Sequence, residues 1–288
     1  MQKKIAVFGA FGQLGVELCA DLQRRGYLVS AFERARLDVT NAESVERAIA
    51  EIDPWAVFNA AAYNMVDVAE REPLAALEAN GLAVRNLALA CRQSDARLIH
   101  FSTDYVFDGT LGRPYVETDA VHPLGAYAVS KLAGELYAQA YLERSLIVRT
   151  SGVFGVGALK TARGNFPETM LRLAKSGKPL RVVEDHVASP TFAPALASRS
   201  IDLLERELTG IFHIGGGEPI SWFDYARLIF SKAGLDVEVQ PTNEREYRTP
   251  ARRPKYSALE NARMRDCGIA PMPSMADAVE AYLSARGV

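Results

Sequence analysis

The chain has 288 residues, of which 49% are hydrophobic and 24% charged, with a formal net charge of −2; this composition is typical of one large α/β domain or one domain with a smaller lobe. The low net charge argues against a broad electrostatic surface for nucleic acid, and no apolar run approaches the ~18 residues that span a bilayer. The three cysteines are odd in number and far apart, so we expect reduced thiols. A strand is predicted within the first few residues, which leaves no room for a signal peptide. We therefore expect a cytoplasmic protein that binds neither nucleic acid nor a membrane.

Predicted strands and helices alternate through the first half of the chain. Short apolar runs predict strands at residues 4–8, 27–32, 56–59, 97–101 and 146–149. The stretches between them predict helices at residues 16–25, 45–51, 74–93 and 124–140. This alternation predicts an α/β fold, a Rossmann-like doubly wound parallel sheet with helices on both faces.

The pattern loosens after residue 150, where several glycines lie close together. Further helices are predicted at residues 166–176, 193–207 and 222–233, and strands at residues 180–183 and 211–214. We expect a smaller C-terminal lobe, with the chain returning once to the main sheet. The predicted nucleotide-binding domain comprises residues 1–151 and 192–216, and the predicted substrate-binding lobe comprises residues 152–191 and 217–288.

A glycine-rich turn, residues 9–15, connects the first predicted strand to the first predicted helix. Gly9, Gly12 and Gly15 lack a Cβ atom, which lets the backbone turn tightly and approach a pyrophosphate. The N-terminus of the following helix adds unpaired N–H groups and the positive end of the helix dipole. Such a turn also occurs without a ligand, but the flanking strand and helix favour a dinucleotide site.

The end of the second predicted strand bears on which dinucleotide is bound. Glu33 could hold the ribose 2′-hydroxyl of NAD, whereas Arg34 could hold the 2′-phosphate of NADP. Each could equally be a solvated surface residue. The residues alone therefore leave the choice between NADPH and NADH open. Asp38 and Val39 lie where the adenine could pass.

Tyr127 and Lys131 are four residues apart in a predicted helix and therefore share one face. A nearby ammonium favours phenolate and lowers the pKa of tyrosine from about 10, which suits proton transfer to a carbonyl oxygen. In a chain with 11 tyrosines this spacing alone is close to a chance occurrence. The neighbouring sequence makes a catalytic role for the pair more convincing. The preceding predicted strand leads into Ser102 and Thr103, whose hydroxyls are expected in the ligand crevice. Either hydroxyl could hydrogen-bond a substrate carbonyl or simply cap the loop.

Together these elements resemble the extended short-chain dehydrogenase/reductase family, and within it the dTDP-4-dehydrorhamnose reductases. The resemblance runs nearly end to end. It rests on the blocks at residues 59–63, 66–67, 69–70, 102–109, 130–135, 149–151, 165–166, 189–191 and 253–254. The long block from Ser102 to Gly109 is specific to the group.

The resemblance implies reduction of the 4-keto group of dTDP-4-dehydro-L-rhamnose to dTDP-L-rhamnose, with NADPH or NADH as cofactor. It implies a catalytic set of Thr103, Tyr127 and Lys131. Together with the residues at the second strand, the expected cofactor site comprises Gly9, Phe11, Gly12, Gln13, Leu14, Glu33, Arg34, Asp38, Val39, Ala60, Ala61, Ala62, Tyr127 and Lys131. The expected substrate site comprises Ser102, Thr103, Asp104, Val106 and Arg253.

The chain also departs from the family's pattern. Gly152 stands where many members have Trp, and His186 and Gly125 replace a frequent Gln and Asn. Some members place Mg²⁺ at a dimer interface through glutamates. Glu17 matches one such position, but Pro194 stands near another. A homodimer is compatible with the resemblance, whereas the metal is not carried over.

Two alternatives stay open from the sequence. One is a reductase or epimerase for another nucleotide-linked deoxysugar, which would share the catalytic set. The other is a non-catalytic NADP-binding regulatory subunit, because this family resemblance extends to the regulatory subunit of methionine adenosyltransferase. The intact set of Thr103, Tyr127 and Lys131 favours an enzyme.

Overall fold

The computed structural model describes residues 2–160, 164–177 and 179–287, and these contain ten strands. The strands are β1 (Lys4–Phe8), β2 (Leu28–Phe32), β3 (Ala56–Asn59), β4 (Arg97–Thr103), β5 (Ser145–Thr150), β6 (Leu180–Val183), β7 (Val187–Ala188), β8 (Gly210–His213), β9 (Ile220–Ser221) and β10 (Val239–Thr242). Six of them form the main sheet in the order β2-β1-β3-β4-β5-β8, with every pairing parallel.

The strand order of the main sheet places its ligand crevice. β2 and β3 lie on opposite sides of β1, so the order reverses there. In open parallel sheets ligands bind outside the carboxyl ends of the strands at such a reversal. β1, β3 and β5 are buried along nearly their whole length. This burial explains the apolar runs at residues 5–8, 56–58 and 146–148, because a parallel sheet is covered on both faces.

Helices cover both faces of the main sheet. The described helices are α1 (Gln13–Arg24), α2 (Ala42–Ile52), α3 (Val66–Ala69), α4 (Pro73–Leu77), α5 (Ala83–Gln93), α6 (Ala126–Tyr141), α7 (Phe166–Ala174), α8 (Ala193–Glu205), α9 (Trp222–Lys232), α10 (Ala262–Asp266) and α11 (Met275–Arg286). On one face α1 and α8 contribute Leu18 and Leu196 to an apolar core. On the other face α2, α5 and α6 contribute Ile49, Leu87 and Ala138. The predicted doubly wound sheet is confirmed.

The single helix predicted over residues 74–93 is interrupted. A π-helical turn, Glu78–Leu82, separates α4 from α5. Inside this turn the Asn80 side chain is fully buried. It accepts a hydrogen bond from Tyr63 N–H at 2.8 Å and donates to Ser130 Oγ at 3.0 Å. The π-helical turn thus places the Asn80 amide between the loop at Tyr63 and helix α6. Apolar periodicity alone does not predict such a turn.

Two short sheets lie outside the main sheet, in the region predicted to form the smaller lobe. β6 pairs with β10, and β7 pairs with β9. Helices α7, α9 and α11 enclose an apolar cluster around Phe154, Tyr225 and Tyr282. The sequence patterns missed α3, β7, β9, β10, α10 and α11. Within the described residues, no helix has the length and apolar character needed to cross a membrane.

The chain returns to the main sheet more than once. β8 pairs with β5, where a late strand was predicted. In addition, Met264, Ile269 and Met272 pack into the core beneath α1 and α8. Part of the predicted lobe at residues 217–288 therefore contributes to the core of the main sheet. The proposed domain boundaries at residues 151, 192 and 216 stay a prediction.

Candidate active site

The glycine turn lies at the carboxyl end of β1, where the strand order reverses. Gly9 adopts a φ of +73°, in the left-handed region that favours glycine. A Cβ atom on Gly9 would lie 2.5 Å from the backbone nitrogen of Ala61, and a Cβ atom on Gly15 would lie 2.1 Å from the carbonyl oxygen of Gly9. The N-cap residue of α1 is Gly12, which has no side chain to cap the first turn. The first backbone N–H groups of α1 are thus available to an anion, and the turn fits a dinucleotide pyrophosphate.

The side chains of two predicted cofactor residues are occupied elsewhere. Gln13 donates from Nε2 to the Val153 carbonyl at 2.6 Å and accepts from Asn165 Nδ2 at 3.0 Å. Leu14 packs against the core beneath the sheet. Both residues therefore offer a cofactor their backbone rather than their side chains, and Gln13 ties the glycine turn to the lobe. Phe11, in contrast, is 57% exposed.

The predicted alanines follow β3 beside the glycine turn. Ala60 and Ala61 are half-buried and Ala62 is exposed. Asn59 holds this segment in place, because its Oδ1 accepts from Ala61 N–H at 3.2 Å while its Nδ2 lies 3.2 Å from His100 Nδ1. Small side chains here leave room next to the turn, which suits the stacking surface of a nucleotide.

At the end of β2 the charged residues point to solvent. Glu33 is exposed, and the Arg34 side chain is 86% exposed with its Nε 3.3 Å from Asp38 Oδ2. Asp38 also accepts from Thr40 N–H at 2.9 Å, and this backbone hydrogen bond is the main reason that the pKa of Asp38 is lowered. Val39 packs against the core on the α2 side. The carboxylate of Glu33 and the guanidinium of Arg34, which are neighbours in the chain, are thus both exposed.

Tyr127 and Lys131 lie in the first half of α6. Lys131 is 3% exposed, and its Nζ donates to the Phe101 carbonyl of β4 at 2.6 Å. Tyr127 is half-buried, and the Tyr105 ring lies edge-on to it with centroids 6.2 Å apart. The helix therefore brings a phenol and a buried ammonium to the carboxyl end of β4.

Lys131 is expected to titrate with a midpoint near pH 8. Burial disfavours the ammonium and lowers the pKa of Lys131 to about 8, although the Glu135 carboxylate acts in the opposite direction. Lys131 is then charged below this pH and neutral above it. Nuclear magnetic resonance of ¹³Cε-labelled lysine measures the midpoint, and a Lys131→Met variant assigns the signal. In the unfolded chain the pKa of Lys131 should be about 10.4, the ordinary value for lysine. A titration midpoint above about pH 10 in the folded protein would contradict this prediction.

Thr103 ends β4 and Asp104 follows it, and both lie in a cluster of hydroxyl groups. Thr103 Oγ1 lies 3.2 Å from Asp104 Oδ1 and accepts from Tyr105 N–H at 3.2 Å. Ser151 and Ser257 donate to Asp104 Oδ2 at 2.8 and 2.5 Å. Burial raises the pKa of Asp104 to about 6, while these hydrogen bonds act in the opposite direction. The carboxyl thereby joins β4, β5 and the C-terminal segment at one point.

Three predicted substrate residues are engaged inside the protein. Ser102 donates its hydroxyl to the Glu135 carboxylate. Val106 is fully buried in an apolar cluster. Arg253 is half-buried in a two-pronged ion pair with Asp67, at 3.0 and 2.8 Å. The side chains of Ser102 and Val106 are buried, so only their backbone atoms could reach a ligand, and their substrate contacts stay a prediction.

A buried ion pair that the sequence did not predict links α6 to β5. Glu135 and Arg149 are 1% and 3% exposed, and Arg149 Nη2 lies 2.7 Å from Glu135 Oε2. Glu135 follows Lys131 by one helical turn on the same face of α6. The four-residue spacing from Lys131 could have indicated that Glu135 faces the interior. The sequence does not show that its partner is Arg149, because Arg149 lies in another element, β5.

One group of described side chains has metal-ligand chemistry. Ligand atoms of Asp185, His186 and Glu244 lie within 4.8 Å of one another. The Lys255 ammonium lies 3.7 Å from the carboxylate of Asp185 and 3.5 Å from that of Glu244, so one lysine charge is shared between the two acids. Glu17, which matches a metal position of some relatives, lies on α1, where burial raises its pKa.

Comparison with known proteins gives consistent matches over the whole chain. The family described as RmlD substrate binding domain matches residues 3–287. The spore coat polysaccharide biosynthesis protein SpsK of Bacillus subtilis is 36% identical over 283 residues, covering 98% of each chain. dTDP-4-dehydrorhamnose reductase of Escherichia coli is 39% identical over 271 residues, covering 88% of each. A crystal structure of dTDP-4-dehydrorhamnose reductase from Bacillus anthracis in complex with NADP has a TM-score of 0.94 and 35% identity, and the match covers 99% of this chain and 100% of that one. The chain therefore belongs to the family described as RmlD substrate binding domain.

Proposed function

We propose that the protein is an NADPH-dependent reductase that converts the 4-keto group of dTDP-4-dehydro-L-rhamnose to the hydroxyl of dTDP-L-rhamnose. The relatives named dTDP-4-dehydrorhamnose reductase support this reaction. The observation that supports it most strongly is the link between α6 and β4: Thr103 ends β4, and Lys131 is hydrogen-bonded to the same strand. The Thr103 hydroxyl and the Lys131 ammonium are thus associated with one strand, and Tyr127 precedes Lys131 by one turn of α6.

NADPH fits the crevice at the glycine turn. The backbone N–H groups of the first turn of α1 would hold its pyrophosphate. Its adenosine end would lie beside Asp38 and Val39, and the exposed guanidinium of Arg34 suits a 2′-phosphate. Its nicotinamide end would pass Ala60–Ala62 toward Tyr127. When bound, the cofactor supplies the hydride that reaches the carbonyl carbon of the sugar.

In this proposal Tyr127 donates its phenolic proton to the 4-oxygen of the sugar. The phenolate that remains is stabilised by the Lys131 ammonium. Because Lys131 is buried and tied to the Phe101 carbonyl, its charge acts at short range with little screening by water. A positioned general acid of this kind contributes about 10²- to 10⁴-fold to a rate.

Thr103 supplies the second hydrogen bond to the same oxygen. Its proton is directed to Asp104 in the structure. Rotation of the hydroxyl toward the sugar would leave Asp104 with its two donors, Ser151 and Ser257. Asp104 thus lies next to the substrate in this proposal, whereas Arg253 acts by holding the loop around residues 249–253 against Asp67.

Location and assembly complete the proposal. We infer a cytoplasmic enzyme without affinity for nucleic acid, in keeping with the net charge of −2 and with three cysteines that form no disulfide. A homodimer is proposed from the family resemblance alone, and sedimentation equilibrium tests it directly. A monomer over the micromolar range would contradict the assembly without affecting the proposed reaction.

The test is incubation of the protein with dTDP-4-dehydro-L-rhamnose and either NADPH or NADH. We expect oxidation of the reduced cofactor, followed by its absorbance, together with formation of dTDP-L-rhamnose. Epimerisation of the sugar without net cofactor oxidation would instead indicate an epimerase. Tight binding of NADPH with no turnover of any dTDP-linked keto-sugar would indicate a regulatory subunit, and either result would overturn the proposal.

A further inference from the structure

The helix that carries Tyr127 and Lys131 begins without a side-chain cap of its own. α6 has 16 residues, and Gly125 is its N-cap residue, with no side-chain hydrogen bond to the first turn. The first N–H groups of a helix need acceptors, which a Ser, Thr, Asp or Asn at this position normally supplies. Tyr127 is the second residue of α6, so it lies in the very turn that lacks this support.

The carboxylate of Glu70, which precedes α6 by more than 50 residues, supplies an acceptor to the first turn of α6. Glu70 Oε1 accepts a hydrogen bond from Ala126 N–H, the first amide of α6, at 2.8 Å. A Cβ atom on Gly125 would lie 2.5 Å from the same oxygen. The space that a capping side chain on Gly125 would use is therefore filled by Glu70. A negative charge at this position also complements the positive end of the helix dipole.

Glu70 is itself anchored. It follows α3, whose Asp67 forms the two-pronged ion pair with Arg253 and also accepts from Ala251 N–H at 3.1 Å. The position of the cap is thus set by a link between α3 and the C-terminal loop. Glu70 and Tyr127 line the same small cavity. Its other lining residues include Val66, Tyr105, Leu124 and Arg252.

We propose that Glu70 is a positioning residue of the reductase: it caps α6 in place of the side chain that Gly125 lacks and thereby fixes Tyr127 relative to Thr103. This inference rests on the proposed function and goes beyond it. Glu70 does not touch the reacting atoms. It acts through the first turn of α6, and its removal should impair the chemical step more than cofactor binding.

Four variants test this role. Glu70→Ala removes the cap, and Glu70→Gln keeps an acceptor oxygen without the charge. Glu70→Ala combined with Gly125→Ser supplies a cap from the helix itself in the space that the carboxylate vacates. Glu143→Ala removes an exposed carboxylate just beyond the other end of the same helix and serves as the control. Each is assayed for kcat and for the KM of NADPH, and hydrogen exchange is measured over residues 120–130.

We expect Glu70→Ala to lower kcat about tenfold, the factor that corresponds to loss of one cap-sized interaction in the transition state. The KM of NADPH should stay within about twofold, because the glycine turn is untouched. Exchange over residues 120–130 should rise. Glu70→Gln and the double variant should regain most of kcat and of the protection, and Glu143→Ala should match the parent.

Two results would overturn the role of Glu70. One is a Glu70→Ala variant with the kcat of the parent; the other is a double variant that regains protection from exchange but not kcat. If the parent itself fails to turn over the dTDP-linked sugar, the proposed function fails separately. In that case hydrogen exchange alone tests whether Glu70 caps α6. Unchanged exchange over residues 120–130 in Glu70→Ala would show that it does not.

Discussion

Replacing Tyr127 by Phe is expected to lower kcat for dTDP-4-dehydro-L-rhamnose by about 10²- to 10⁴-fold, because the variant lacks the only proton that the phenol can give to the sugar oxygen. The dissociation constant of NADPH should change by less than about twofold. In the proposed binding mode the pyrophosphate lies at the glycine turn rather than at α6, and Phe keeps the ring that packs edge-on against Tyr105. Steady-state kinetics and fluorescence titration with NADPH measure the two quantities.

Tyr137→Phe is a matched control for this variant. Tyr137 lies on the same helix ten positions further on, with its ring against Tyr141. It loses the same hydroxyl without approaching β4, so its kcat should equal that of the parent. Normal turnover in Tyr127→Phe would rule out Tyr127 as the proton donor, whatever else the protein catalyses.

The largest effect on folding is expected from Glu135→Leu. This change leaves the Arg149 guanidinium, 3% exposed, without its partner inside the protein. Breaking one side of a buried ion pair costs about 3–5 kcal/mol, because the remaining charge stays desolvated and unpaired. Ser102 loses its acceptor at the same time. The free energy of unfolding, measured by urea denaturation, should fall by this amount.

Two comparisons separate burial from charge. Arg113→Leu breaks an ion pair with Asp119 in which the arginine is 51% exposed, and its cost should stay below about 1 kcal/mol. Adding Arg149→Met to Glu135→Leu removes the orphaned charge and should recover part of the loss. A Glu135→Leu variant as stable as the parent would mean that water or a rearranged side chain satisfies Arg149.

Much of the fold follows from local pattern. The strands at residues 4–8 and 56–59 were predicted with the bounds that the structure has, because buried parallel strands are uniformly apolar and end at turn residues. The elements missed, such as β10 and α11, have weaker periodicity and are stabilised by packing around Tyr225 and Tyr282. The break at Glu78–Leu82 escaped prediction since its cause, the buried amide of Asn80, bonds residues distant in sequence.

Some features of the candidate site could likewise be predicted from local sequence, whereas others could not. The glycine turn and the Tyr127–Lys131 spacing are local, and each could be interpreted from neighbouring residues alone. The partners of a hydroxyl or a carboxylate are not local. Ser102 and Thr103 are adjacent and chemically alike, yet one faces Glu135 in the core and the other faces Asp104, because successive residues of a strand point to opposite faces.

The sequence by itself thus determined the parallel sheet, and it singled out the glycine turn and the Tyr127–Lys131 pair as candidates, because these depend on periodicity and spacing within one segment. Only the tertiary structure decided that Lys131 is buried against Phe101, that Arg149 neutralises Glu135, and that Glu70 supplies the missing cap of α6. Each of these joins residues far apart in the chain. Their energies depend on burial and distance, which exist only once the chain has folded.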